Sequence, residues 1–382
     1  MCQTTNRLVP GLALGLILVL GACSDNNNNN GNSENPETGP DPVSIETPNA
    51  DRCEILDSEN CMFPWPSSAF TVSDDASVTG LRISLNRESM PANKQGVKVD
   101  VAEWNRNDGF SPSQMLLALV PGVDMEQTGA PPITDLEESL DPAAPVVVIR
   151  ASTGEQHLVF AELDANTDDP SQQTLIVRPM VQFERGERYI VALRNMRDAA
   201  GDLLEAPEVF RAFRDDTLTD NEAIEERRDA MEDIFATLAD AGIARDELYL
   251  AWDFTIASVE NITERVLHIR DDAFASLGNA APEFTVTEVV DLEPCSDSGC
   301  EEGQDAYKSR TITGTFEVPN YLNSDDGGPG VPFFYDQPDD GLPDRLGGDN
   351  MFTARFFCSV ARSVAEDFDA PPKAVARPSL YG

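Results

Sequence analysis

Arg188-Tyr189-Ile190-Val191-Ala192-Leu193, followed by Asp198-Ala199-Ala200-Gly201-Asp202-Leu203, decides how the chain is read. The first stretch is a β-branched and aromatic run. The second is an Asp- and Gly-rich turn leading into a further strand. The same signals spread in both directions. Residues 97–101 alternate apolar and polar and are expected as a half-buried strand, while 115–120 and 146–149 are unbroken apolar runs suited to buried strands. Strands are also expected over 157–163, 174–177, 248–257, 284–292, 309–318 and 352–358.

Two helices interrupt this pattern. Ile224, Met231, Ile234, Phe235 and Leu238 fall at helical spacing within 221–241, with Asp220 as the expected N-cap and Gly242 as the stop. A second helix is expected from a cap at Ser258 or Asn261 to about residue 277, with Ile262, Val266, Leu267, Ile269 and Phe274 as its apolar positions. Residues 325–350, rich in Gly, Pro and Asp, read as a long surface loop. The fold class is mainly β with a helical insertion, an α+β protein built from β-sandwich or Ig-like modules. Its expected parts are a β-rich N-terminal domain with an Ig-like module over 51–215, a helix–strand–helix insertion over 216–280, and a second β-rich module with the acidic loop over 281–370.

The first 22 residues carry one charge, Arg7, and an apolar run over 12–20. That run is shorter than the ~20 residues a membrane-spanning helix needs and has the form of a secretory signal core. It closes on Leu20-Gly21-Ala22-Cys23, which resembles the lipobox of bacterial lipoproteins. The resemblance implies cleavage before Cys23, acylation of its thiol, and, with Ser24 rather than Asp next, the outer membrane. Residues 23–50, with their Asn run and Pro/Glu/Asp composition, are expected to be a disordered tether.

Lys and Arg total 27 against 68 Asp and Glu, a formal net charge of −41. Loss of Arg7 with the signal segment takes −41 to −42. Such a surface repels nucleic acid and anionic head groups, which leaves the N-terminal lipid as the expected link to a membrane. Only Lys94, Lys98, Lys308 and Lys373 are lysines, and an acidic, Lys-poor surface suits a saline medium.

Beyond Cys2 and Cys23, two close cysteine pairs stand out, Cys53 with Cys61 and Cys295 with Cys300. In an exported chain this spacing implies two local disulfides. Cys358 is left over, expected either buried and free or paired with a cysteine beyond residue 382. No CxxC pair occurs, and the two histidines, His157 and His268, lie far apart, so zinc is not expected.

No Gly-x-Ser-x-Gly elbow, P-loop or dinucleotide fingerprint occurs. The nearest elbow is Gly109-Phe110-Ser111-Pro112-Ser113, which lacks the second Gly and reads as a loop. His157 and His268 read as ordinary histidines without a neighbouring nucleophile. Calcium is the one cofactor weighed. The loops beginning at Asp164 and Asp336 start like EF-hand loops, but Asp169 and Pro338 spoil the pattern and Leu175 and Gly347 stand where the bidentate Glu belongs. Both read as solvated loops. Trp65, Trp104 and Trp252 are expected in packing rather than ligand stacking.

Three stretches carry a wider resemblance: Cys61-Met62-Phe63-Pro64-Trp65-Pro66-Ser67-Ser68-Ala69-Phe70-Thr71, Met90-Pro91-Ala92-Asn93, and Trp104-Asn105-Arg106-Asn107-Asp108-Gly109-Phe110-Ser111-Pro112. With 189–198, Leu248-Tyr249-Leu250-Ala251-Trp252-Asp253-Phe254-Thr255 and 377–382, they resemble the N-terminal region of large exported bacterial proteins related to virulence-factor lipases and surface lysophospholipases. In that family an Ig-like β-rich part precedes an α/β-hydrolase domain. The segment like 377–382 leads there into the oxyanion loop, ahead of the catalytic residues. The resemblance therefore implies an accessory part of an exported lipase or esterase, no catalytic residue within this chain, and a hydrolase domain whose first strand begins in 371–382. Ala376-Arg377-Pro378-Ser379-Leu380-Tyr381-Gly382 itself reads as a short strand entering a turn. The alternative is a self-sufficient surface lipoprotein that binds a glycan, lipid or protein through its β modules. In the first case the face over 352–358 is expected to lie uncovered, with Cys358 open to pairing between chains.

Overall fold

The computed structural model describes residues 41–380 except 279, 297–298, 326, 338–339, 349, 366 and 370. Cys23, the signal segment and most of the tether lie outside the described residues. The strands are β1 (Thr71–Ser73), β2 (Leu81–Ile83), β3 (Leu116–Leu119), β4 (Val146–Arg150), β5 (Val159–Leu163), β6 (Thr174–Pro179), β7 (Arg188–Arg194), β8 (Leu248–Thr255), β9 (Phe284–Asp291), β10 (Lys308–Pro319) and β11 (Met351–Ala361). The helices are α1 (Met125–Thr128), α2 (Glu208–Arg214), α3 (Glu222–Asp240) and α4 (Val259–Leu277). All strands pair antiparallel, in the orders β1-β2, β3-β6-β5, β4-β7-β8 and β11-β10-β9. The protein is thus a β-rich α+β fold, as the sequence patterns indicate.

The β4-β7-β8 sheet is the centre. Its strands are buried along nearly their whole length. A sheet covered on both faces has no solvent side, which is why β8 reads as a continuous apolar run instead of alternating. Helices α2 and α3 pack against β8, and Trp252, fully buried, donates its indole N–H to the Pro66 carbonyl at 2.8 Å. One continuous core runs from Ile45 to Ile256 and takes in β3, β5 and β6 as well. No boundary therefore falls at 215/216. The expected insertion over 216–280 supplies β8, an integral strand of the central sheet.

Three further expectations change. Residues 97–101 form no strand: a bridge between Ala92 and Lys98, an Asn93 N–H to Val97 carbonyl bond of 2.9 Å and a Val99 N–H to Pro91 carbonyl bond of 3.3 Å close a short turn, and Pro91 has no N–H with which to extend the pairing. The tether reading fails at its end: Val43 bridges Thr219 through the backbone, and Ile45 is buried in the main core with its carbonyl held by Asn221. Finally, 376–380 are exposed and in no strand, while Tyr381 and Gly382 lie outside the described residues.

The cap of α3 is Asn221 rather than Asp220. Its Oδ1 accepts from the Ala223 and Ile224 N–H groups while its Nδ2 donates to the Ile45 carbonyl and Thr47 Oγ1. An aspartate cannot donate, so only the amide serves both sides. One turn on, Glu225 is held down to about 2 by the Arg228 guanidinium, with the Thr219 hydroxyl and N–H also donating to it. A depressed carboxyl contributes stability that is complete above its unfolded value of about 4.3 and is lost as pH falls through the folded value. We therefore expect Glu225→Gln to trail the parent by a constant margin above about pH 5, the gap closing towards pH 2, as read from urea midpoints across that range. A gap independent of pH would contradict the assignment.

Helix α4 differs most from expectation. It starts at Ser258, whose side chain accepts from the Asn261 N–H, and none of its residues is buried. Ile262, Val266, Leu267 and Phe274 are exposed, because the helix is anchored through its polar side. Asp272 accepts from Tyr321 at 2.5 Å and from Arg345 at 2.6 Å, and Arg265 reaches Asn107 at 3.2 Å.

The β9–β11 sheet contributes nothing to the main core. Its register places Phe284, Val286 and Val289 across from Phe316, Gly314 and Ile312, and these across from Ala354, Phe356 and Cys358. One face of the sheet is thus apolar, and Phe284, Val286, Val289 and Cys358 on it are exposed. Cys358 is the one free cysteine among the described residues. Both sequence-paired disulfides are present, Cys53–Cys61 and Cys295–Cys300. Replacing Cys53 and Cys61 by serine is expected to cost about 2–3 kcal/mol in denaturant unfolding. The same change at Cys295 and Cys300 should cost less, because Cys53 is buried and its replacement also puts a hydroxyl into the core. Equal costs would contradict this.

Candidate functional site

The stretches at 61–71, 90–93 and 104–112, far apart along the chain, fold into the walls of one cleft of about 580 Å³. Trp65 is set by a reciprocal pair of backbone bonds with Leu117 of β3, at 2.8 and 2.7 Å. Its indole meets the Phe110 ring edge-on, with centroids 5.2 Å apart. Phe110 is clamped in turn: its N–H donates to the Thr255 carbonyl and its carbonyl accepts from the Ala257 N–H, both at 2.9 Å. This join passes so close that a Cβ on Gly109 would stand 2.5 Å from the Ala257 nitrogen. Glycine is required there for close backbone approach, not for an unusual φ. Asp108, buried beside it, accepts from the Ser258 N–H at 2.9 Å and so holds the start of α4.

Ile83, Leu85, Met90 and Val99 form the facing wall, and Asn261 and Ile262 of α4 complete the rim. At the mouth, Trp104 is half exposed. Beside it, Arg106 stacks on the Tyr335 ring at 3.7 Å while the Tyr335 hydroxyl donates to Glu103 at 2.9 Å. Burial, and secondarily this bond to a carboxylate, push the Tyr335 hydroxyl up to about 12. Among the described residues, none lining the cleft is Asp, Glu, Lys, Arg or His. In a chain where charged residues are 25% of the total, an uncharged concavity is a selective surface, and such sites are usually apolar with a few placed polar groups.

Ser111 lies in the cleft wall, yet among the described residues neither histidine hydrogen-bonds a serine or cysteine side chain. His157 packs on Phe183 with centroids 4.4 Å apart and its Nε2 lies 3.0 Å from the Val181 carbonyl oxygen. Burial lowers its pKa, which favours the neutral ring. His268 faces a separate polar hollow with Asp272, Asp344 and Arg345. The two loops weighed for calcium are closed on themselves: Asp164 accepts from Asn166, and Asp344 accepts from the Asp336 and Gln337 N–H groups. Among the described residues no three His, Cys, Asp or Glu side chains group as metal ligands. No helix among them is long and apolar enough to cross a membrane.

Of the residues singled out from the sequence, the two disulfide pairs lie outside the cleft, although Cys61 leads directly into its first wall. The cleft itself is not legible from spacing, since its residues span 62 to 262. The Asp108-Gly109 pair is the one local signal that marks it. The chain matches no family model, no curated protein and no solved structure.

Proposed function

We propose that this chain is the membrane-anchored accessory part of an exported lipase- or esterase-like protein, and that it acts by binding rather than by turnover. Chemistry would come from an α/β-hydrolase domain of the kind that follows such a part in the family it resembles, and the anchor from acylation of Cys23. The observation that carries the reading is the convergence of the three resembling stretches on one uncharged cleft with no nucleophile–base pair in it. The test is paired. The purified chain should bind the neutral dye Nile red at one site, and should hydrolyse short- and long-chain p-nitrophenyl esters no faster than buffer. Turnover abolished by Ser111→Ala would overturn the reading.

A second reading, a self-sufficient surface lipoprotein that binds a ligand through Ig-like β modules, is favoured by the apolar face of the β9–β11 sheet. Labelling of Cys358 by a maleimide in intact cells separates the two. A face engaged with a partner protects the thiol, and full labelling counts against this second reading.

A further inference from the structure

We infer that the cleft receives an uncharged, chain-like amphiphile whose polar group both donates and accepts a hydrogen bond, such as a long-chain alcohol or primary amide. This rests on the binding reading above and adds the chemistry of the ligand. Three observations carry it. First, the apolar wall formed by Trp65, Ile83, Leu85 and Phe110 bounds a space of about 580 Å³, within the usual range for small-molecule clefts. Second, among the described residues no side chain lining the cleft carries a charge, and Arg106 and Glu103 beside its mouth are engaged with Tyr335. An anion would find no cation there and would enter against a protein of net charge −41. A cation would shed its hydration without gaining a carboxylate.

Third, two amides in the wall carry atoms that are shielded from water and have no partner, Gln114 Nε2 and Asn261 Oδ1. One is a donor and the other an acceptor. The Asn261 orientation is fixed by its Nδ2, which donates to the Arg106 carbonyl at 3.3 Å, so Oδ1 is left to accept. Buried polar atoms without partners are uncommon and costly. The terminal amide torsion of Gln114 is soft, so a small rotation turns its Nε2 to the cleft, while Asn261 Oδ1 keeps the rim position that its Nδ2 bond sets. A hydroxyl meets either atom, accepting from Gln114 or donating to Asn261. A hydrocarbon satisfies neither.

The experiment varies charge at constant chain. Purified protein is titrated with 1-dodecanol, dodecanoate and dodecylammonium at pH 8, below their aggregation limits. Binding is read by calorimetry and by tryptophan fluorescence, since Trp65 and Trp104 both line the cleft and Trp252 is fully buried. Dodecanol should saturate one site, and each charged analogue should bind at least about tenfold more weakly, one unmet charge or hydrogen bond being worth 1.4 kcal/mol or more. Gln114→Leu should weaken dodecanol about tenfold. Ile262→Glu, at an exposed rim position, should weaken dodecanol and Nile red with an unchanged circular dichroism spectrum. Dodecanoate binding as tightly as dodecanol, or Gln114→Leu leaving dodecanol affinity unchanged, overturns the ligand assignment alone. Failure of every probe to bind the parent protein overturns the binding reading with it.

Discussion

Arg227→Met is expected to cost about 3–5 kcal/mol of folding stability, the cost of leaving a buried charge without its partner. Glu54 is fully buried, and its carboxylate accepts from the Arg227 guanidinium, the Ser67 hydroxyl and, at 3.2 Å, the Leu56 N–H. The segment carrying Glu54 is closed by the Cys53–Cys61 disulfide, Ser67 follows closely on Trp65 of the cleft wall, and Arg227 lies on α3. Three parts of the fold meet at one charge. Methionine matches the arginine stem but supplies no donor, so a carboxylate stays desolvated with two weaker partners. Denaturant unfolding followed by circular dichroism measures the loss. Adding Glu54→Gln should recover most of it, because the uncompensated charge disappears. A single variant within 1 kcal/mol of the parent would show that water reaches Glu54.

Gly109→Ala is expected to cost about 3 kcal/mol and to abolish probe binding together with it. The added methyl would lie 2.5 Å from the Ala257 nitrogen and 2.7 Å from the Ile256 carbonyl carbon, both backbone atoms that no side-chain rotation relieves. The chain must part from 256–257, and with it go the two bonds that hold Phe110. Parent-like stability would mean that the two segments separate easily, and then Phe110 would not be a fixed wall. Gly96, by contrast, has no atom near its missing Cβ but a φ of +77°. Alanine there costs about 1 kcal/mol through the backbone alone and should leave the cleft unchanged.

The buried strands were readable because their message is simple. An unbroken apolar run such as Val146-Val147-Val148-Ile149 has only one way to avoid water. The same logic misleads at α4, where Ile262, Val266 and Phe274 repeat at helical spacing yet stay exposed. Periodicity reports that a face is apolar and not that anything covers it. It misleads again at 97–101, where strict alternation meets Pro91, which has no N–H with which to extend the pairing. The asparagine cap at 221 was hidden because its second task, holding Ile45 and Thr47, depends on residues 174 and 176 positions away. The cleft was hidden for the same reason. Gln114 and Asn261 have no local signature, and only folding brings them to one wall.

The clamped wall and the short turn that carries Val99 have different dynamics. Amide hydrogens of Trp65, Phe110, Leu117 and Ala257 are tied into the central packing and should exchange with deuterium only when the whole domain opens. Those of 93–99, held by turns around an exposed Val97, should exchange through local opening. A ligand then meets one surface that cannot adjust and one that can. Discrimination between ligands belongs to the fixed side, and the time a ligand stays is governed by how often the other side swings away.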